Sequence, residues 1–207
     1  MRIYLADFSL DVLLKYHELY PGRKLNVLRS FGRPSKNAEA FLRTHRDKRG
    51  SIILDSGTWT LNNKKNTEGM KITLEGYKDY AKDFGHLFDF YFNFDSNFTD
   101  EGFGENISNQ TKLEEAGLHP VPVIHDIYGD EIPHYIDEKY PLVALGSTQI
   151  TDIYSLEMVV DRLQRAGIQI HLFGNTNFEF LSSLPIFSCD STSWAKTAGF
   201  GAIKYWN

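Results

Sequence analysis

Residues 142 to 173 read LVALGSTQITDIYSLEMVVDRLQRAGIQIHLF, and this stretch decides the fold. Its two ends, Leu142 to Leu145 and Gln169 to Phe173, are short apolar runs of the kind that form buried parallel strands. Between them Leu156, Val159, Val160 and Leu163 recur with helical period, and Gly167 follows as a stop signal. A strand, a helix and a strand in this order make a right-handed parallel crossover.

The same unit recurs in both directions. Further apolar runs lie at Arg2 to Ala6, Leu25 to Leu28, Ser51 to Leu54, Phe88 to Phe94, Val121 to Ile124 and Ile186 to Ser188. The connections between them carry helical faces. Ala38, Phe41 and Leu42 follow Pro34-Ser35; Leu74, Tyr77, Ala81 and Phe84 follow Thr73, which is placed to cap their helix; Thr111 to Ala116 end at Gly117. The connection from Asn175 to Leu184 has the weakest helical pattern. Eight units at about 26 residues each predict a compact (β/α)8 TIM barrel of the α/β class, near the lower size limit of that fold. One domain over residues 1–207 is expected. A doubly wound open sheet is the alternative, since periodicity does not say whether the first and last strands meet.

Hydrophobic residues make up 42% of the chain, enough for one core. No apolar run reaches membrane-spanning length, and the start MRIYLADFSLDVLLKYHELYP lacks the order of a signal peptide. A cytoplasmic protein with no membrane partner is expected. Cys189 is the only cysteine, so neither an intrachain disulfide nor a thiolate zinc cluster can form. The net charge is −5, but residues 22 to 49 hold nine Lys and Arg against Glu39 and Asp47, a local +7 that leaves −12 elsewhere. Within that stretch Arg43, Arg46, Lys48 and Arg49 are the candidates for nucleic-acid binding; a solvated basic face is the other reading.

Barrel enzymes carry their chemistry at the C-terminal ends of the strands. Those positions hold Asp7, Asp55-Ser56-Gly57, Asp95, His125-Asp126, Gly146-Ser147, Gly174-Asn175 and Asp190-Ser191. Asp, Ser and Asn also cap the helix after such a loop, which accounts for part of the pattern. Four or more carboxylates converging on one mouth need a further reason, because clustered like charges destabilise a fold unless paired, protonated or used. Neither a P-loop, a dinucleotide GxGxxG nor a GxSxG elbow occurs. Asp7, Asp55, Asp95, His125 and Asp126 form an oxygen-rich set of the type that takes Mg²⁺ or Mn²⁺. No HxH or HExxH spacing supports it, and no metal or cofactor is expected. His171 alternates within a strand and reads as a satisfied interior residue.

Four pieces of the chain resemble the tRNA-guanine transglycosylase superfamily, the queuine and archaeosine tRNA-ribosyltransferases with their DNA deazaguanine relatives. Ile53-Leu54-Asp55-Ser56-Gly57 looks like the family's strand ending in Asp-Ser-Gly-Gly, and Asn93-Phe94-Asp95 like the strand ending in a base-reading Asp. Val143-Ala144-Leu145-Gly146 is similar to the strand whose glycine turn approaches the base. Phe187-Ser188-Cys189-Asp190-Ser191-Thr192-Ser193-Trp194 is similar to the segment carrying the nucleophile. The sequence departs from the pattern at Thr58-Trp59, at Ser147-Thr148 and at Ser188-Cys189, and a single cysteine cannot supply the zinc subdomain of the tRNA enzymes.

The resemblance implies a base-exchanging glycosyltransferase that places a deazaguanine-type base in a nucleic acid. Asp190 would attack the sugar and form a covalent glycosyl intermediate, with Asp55 as general acid and base. Asp95 would read a purine or 7-deazapurine base. Gly146 would admit its approach, and Ser56, Gly57, His125 and Ser147 would complete the pocket. Trp59, Phe94 or Trp194 would stack on the base. DNA, RNA or a nucleoside would be the partner. Two alternatives remain at this point: a barrel hydrolase of a glycosidic or phosphate ester bond using the same carboxylates, and a non-catalytic nucleic-acid-binding protein using residues 22 to 49.

Overall fold

The computed structural model describes residues 1–6, 10–33, 38–63, 72–99, 101–146, 152–193 and 195. Asp7, Pro34-Ser35, Ser147, Thr148 and Trp194 lie outside the described residues. Strands and helices alternate: β1 (Arg2–Leu5), α1 (Leu10–Leu19), β2 (Val27–Ser30), α2 (Ala38–Thr44), β3 (Ile52–Asp55), α3 (Thr58–Asn63), α4 (Leu74–Phe84), β4 (Phe90–Tyr91), α5 (Phe103–Glu115), β5 (Val123–Ile124), α6 (Glu131–Asp137), β6 (Leu142–Leu145), α7 (Ile153–Arg165), β7 (Gln169–Leu172), α8 (Phe178–Ser183) and β8 (Ser188–Ser191). All pairings between these strands are parallel, in the order β4-β3-β2-β1-β8-β7-β6-β5.

The helices begin and end where the chemistry directs. Thr73 is extended and its side chain accepts from the Gly76 N–H, satisfying one of the free donors of α4. Asp152 does the same for Ser155 at the start of α7. Gly167 then leaves α7 with φ of 79°, a left-handed turn that glycine adopts without strain. Tyr77 and Ala81 of α4, and Leu156, Val159, Val160 and Leu163 of α7, form the buried faces. Each such aliphatic side chain contributes roughly 1.5–3 kcal/mol when removed from water.

The sheet is strongly curled. In the strand order β4 and β7 stand five places apart, so a flat sheet would separate them by roughly 24 Å at its usual strand spacing. The rings of Phe90 on β4 and His171 on β7 are in fact 6.2 Å apart. One face of the sheet therefore curls inward around Tyr4, Leu28, Ile53, Phe92, Val121, Val123 and Ala144. The opposite face packs against the helices in two clusters. One is centred on Leu54, Tyr77 and Leu113, the other on Leu145, Val160 and Ile170. The edge strands β4 and β5 approach each other at a bridge between Phe92 and Val121, where Val121 N–H donates to Tyr91 O at 2.7 Å and Asn93 N–H to Val121 O at 2.9 Å. No helix among the described residues is long and apolar enough to cross a membrane.

Two strands are displaced from their apolar runs. The run at Leu25 to Leu28 gives a strand at Val27–Ser30, and the run at Ile186 to Ser188 gives one at Ser188–Ser191. Apolar composition marks burial, whereas the ladder continues through polar rim residues: Ser30 pairs with Asp55, and Tyr4 with Asp190. The connection with the weakest helical pattern holds a short helix, α8, capped by Asn177.

Candidate active site at the strand ends

Alternation along the strands aims one residue in two toward the enclosed face. On β3 that sequence runs Ile53, Asp55; on β8 it runs Ser188, Asp190. Asp55 and Asp190 thus reach the same end of the curled sheet, and Asp95 joins them three residues beyond the Phe92 bridge. Asp55 feels the other two carboxylates. Burial pushes the Asp55 carboxyl up to about 6; the Ser30 hydroxyl and the Gly57 N–H oppose the rise, and the charges of Asp190 and Asp95 add to it. Gly57 N–H donates to Asp55 Oδ2 at 3.1 Å.

Asp95 and Asp190 each stand beside an imidazole. His125 Nε2 is 3.3 Å from Asp95 Oδ2, with both side chains buried, and the His125 ring stacks on Phe98 at 4.5 Å. That nitrogen is out of line for a hydrogen bond to the carboxylate. His171 Nε2 is 3.3 Å from Asp190 Oδ1, which also accepts the Gly174 N–H at 3.0 Å. Burial, with the charge of Asp190 adding to it, pushes the Cys189 thiol up to about 12, so this cysteine is no nucleophile at neutral pH.

The other predicted pocket residues have different surroundings. Ser56 is buried and its hydroxyl bonds Thr58 Oγ1 at 3.1 Å, at the start of α3. Gly57 has φ of 84°, and a Cβ there would lie 2.5 Å from Gly32 N, so two backbone segments touch at this point. The space beside Gly146 is filled by Val123 and His125 side chains, within 3.0 and 3.2 Å of where its Cβ would be. Trp59 is 61% exposed, while Phe94 is core.

Sequence reasoning missed the supports of the site. Glu131, at the start of α6, is buried and accepts the His125 N–H at 2.7 Å, with burial raising its pKa against the pull of that bond. Asn93 Nδ2 donates to Asp95 Oδ1 at 2.7 Å and to Asn106 O at 3.0 Å. Asn106 Nδ2 donates to Asn97 O, and Asn109 Nδ2 to Phe94 O, so α5 holds the loop after Asp95 through buried amides. Their signal was the run of amides at 106, 109 and 110 on one helical face.

The basic residues lie elsewhere. Arg43 ends α2, and Arg46, Lys48 and Arg49 lead into β3 at Ile52, which places them at the N-terminal ends of the strands, opposite Asp55. Arg43 lies over the Phe84 ring. Arg49 is buried and donates to Leu87 O at 3.3 Å and to Gly50 O. A nucleic acid bound there would not reach the carboxylates.

No family model matches the chain, and no curated protein does. Solved structures do match. A racemase from Streptomyces coelicolor A3(2) with bound magnesium is 12% identical with a TM-score of 0.55, covering 92% of this chain and 56% of its own. L-Talarate dehydratase from Polaromonas sp. JS666, complexed with Mg and L-glucarate, is 10% identical at 0.52, covering 92% and 52%. A mandelate racemase/muconate lactonizing enzyme-like protein from Rubrobacter xylanophilus is 11% identical at 0.53, covering 91% and 52%. The chain spans about half the length of these structures, and at such identities the likeness is one of fold.

These findings overturn the transglycosylase resemblance. The matching structures are racemases, dehydratases and their kin, not transglycosylases, and base exchange falls with the resemblance. So do the deazaguanine-type base, the DNA or RNA partner, and the hydrolase and nucleic-acid-binding alternatives. The physical reason is that the matched pieces are short, and the one at Asp55-Ser56-Gly57 is turn chemistry. Asp55 accepts from the N–H two residues on, as do Asn97, Asp126 and Asn175, so short polar motifs follow strands in this chain wherever a loop turns. The magnesium named for the Streptomyces racemase and for L-talarate dehydratase finds no matching donor set among the described residues. Among the described residues no three of His, Cys, Asp and Glu are grouped to hold a metal ion. One oxygen of each of Asp55 and Asp190 already accepts a backbone N–H, Oδ2 of Asp55 from Gly57 and Oδ1 of Asp190 from Gly174.

Proposed function

We propose that this chain is an enzyme that moves protons on a small polar molecule held at the strand-end mouth. Asp55 is its general acid and base, and Asp190 is the second catalytic carboxylate. The observation that carries the reading is the convergence of Asp55, Asp95 and Asp190 on one end of the curled sheet, where burial and the two neighbouring carboxylates push the Asp55 carboxyl up to about 6, so that it can both give and take a proton near neutral pH. Racemisation and dehydration, the reactions named for the similar structures, can both proceed by taking a proton from carbon. Asp95, paired with His125, lines the mouth beside them and binds substrate hydrogens. Gly57 and Gly146 shape the rim, Ser56 anchors α3, and the described residues supply no step through a metal.

The reading includes a complete (β/α)8 barrel over a single domain of residues 1–207, supported by the Phe92–Val121 bridge between the edge strands and by the interior cluster drawn from β1 to β6. The test is solvent exchange. The protein is incubated in D2O with a panel of small hydroxy acids, sugar acids and amino acids, and carbon-bound deuterium is followed by NMR. Incorporation that falls by about 10²- to 10⁴-fold in Asp55→Asn is expected, the usual size of a general acid/base contribution. Absence of exchange across the panel, or exchange untouched in that variant, refutes it.

A further inference from the structure

The enclosed face of the sheet holds an imidazole that the proposed chemistry leaves unused. His171 has no exposed surface. Phe92 and Phe173 lie 4.8 Å from its ring, and Phe90 and Tyr4 lie 6.2 Å away. Both of its nitrogens are engaged: Nδ1 is 2.8 Å from Ser188 Oγ, and Nε2 is 3.3 Å from Asp190 Oδ1. The arrangement follows from register. His171 pairs with Ser188 across β7 and β8, and Asp190, two residues further along β8, points to the same face.

The direction of this chain of bonds is set at its end. An ionised carboxylate only accepts, so the proton between the two groups belongs to Nε2. Nδ1 then carries a lone pair, and the Ser188 hydroxyl, which can turn either way, donates to it. Oδ1 of Asp190 receives a second donor, the Gly174 N–H at 3.0 Å. We infer that His171 is the positioning residue of Asp190: in its Nε2–H form, set by the carboxylate and completed by the Ser188 hydroxyl, it occupies Oδ1 and leaves Oδ2 as the oxygen presented to the mouth. The inference rests on the reading of Asp190 as a working carboxylate.

The test reads His171 directly in the full-length chain. Long-range ¹⁵N–¹H correlation at neutral pH gives the tautomer of each histidine, and His171→Gln identifies the His171 signals by their loss. An Nε2–H, Nδ1-unprotonated ring is expected, and it should persist in Ser188→Ala because Asp190 sets it. An Nδ1–H ring or an imidazolium overturns the proposal. A second measurement follows deuterium exchange. His171→Phe, which keeps an aromatic ring inside the cage, should lower exchange by about tenfold or more, the loss of one hydrogen bond to a charged group. His171→Gln, whose amide can still donate, should recover most of it. Equal exchange in wild type and His171→Phe also overturns the proposal. If instead Asp190→Asn keeps full deuterium exchange while the tautomer is as stated, the reading of Asp190 as catalytic fails and the bond geometry stands.

Discussion

Replacing Asp55 by Asn should make the protein more stable at neutral pH while it disables the site. The rise of its carboxyl from 3.8 to about 6 is close to two pH units, or roughly 3 kcal/mol at 1.36 kcal/mol per unit. That figure is an upper bound, because the side chain is partly open to solvent and water screens it. The sign follows from proton binding. Between 3.8 and about 6 the folded chain holds a proton that the unfolded chain has released, so stability falls as pH rises through this window. Asn is neutral throughout, and its side-chain oxygen can still accept the Gly57 N–H. Urea denaturation of the two proteins should therefore give equal stability near about pH 4 and an advantage of about 1–3 kcal/mol for Asp55→Asn near about pH 8. A difference that does not change with pH, or an Asn variant that is the weaker at about pH 8, would refute the argument that Asp55 is held under electrostatic and desolvation stress.

Other substitutions separate support from surface. Gly57→Ala meets both a positive φ and the backbone of Gly32, and its thermal midpoint should fall by an amount equivalent to more than about 1 kcal/mol. Glu131→Ala leaves the buried N–H of His125 without its acceptor and should cost about 1–3 kcal/mol in denaturant titration. Arg49→Ala should destabilise by about 1–3 kcal/mol, because buried carbonyls lose their donor. Arg46→Ala, at an exposed position, should stay within about 0.5 kcal/mol of wild type.

The alternation of strand and helix is legible because burial on both faces of a parallel sheet writes continuous apolar runs, and because Thr73 and Gly167 mark helix ends by local bonding alone. The rim positions of Asp55 and Asp190 follow from the same alternation. Helix α5 is a harder case. Its helical reading covered only Thr111 to Ala116, whereas the helix spans Phe103–Glu115. Its buried face there is made of Asn106, Asn109 and Gln110, which erase the apolar period while doing the work of a core. The function is not legible for a related reason: Asp55-Ser56-Gly57 reports how the backbone turns, and a turn of this type does not specify the molecule bound above it.

The placement of charge gives the molecule an electrical polarity along the strand direction. Arg23, Lys24, Arg43, Arg46 and Lys48 precede strands, at the end where β2 and β3 begin, while Asp55, Asp95 and Asp190 cluster where strands finish. The field of that cluster favours a small cation at the mouth, most strongly at low ionic strength, when it reaches beyond about 10 Å.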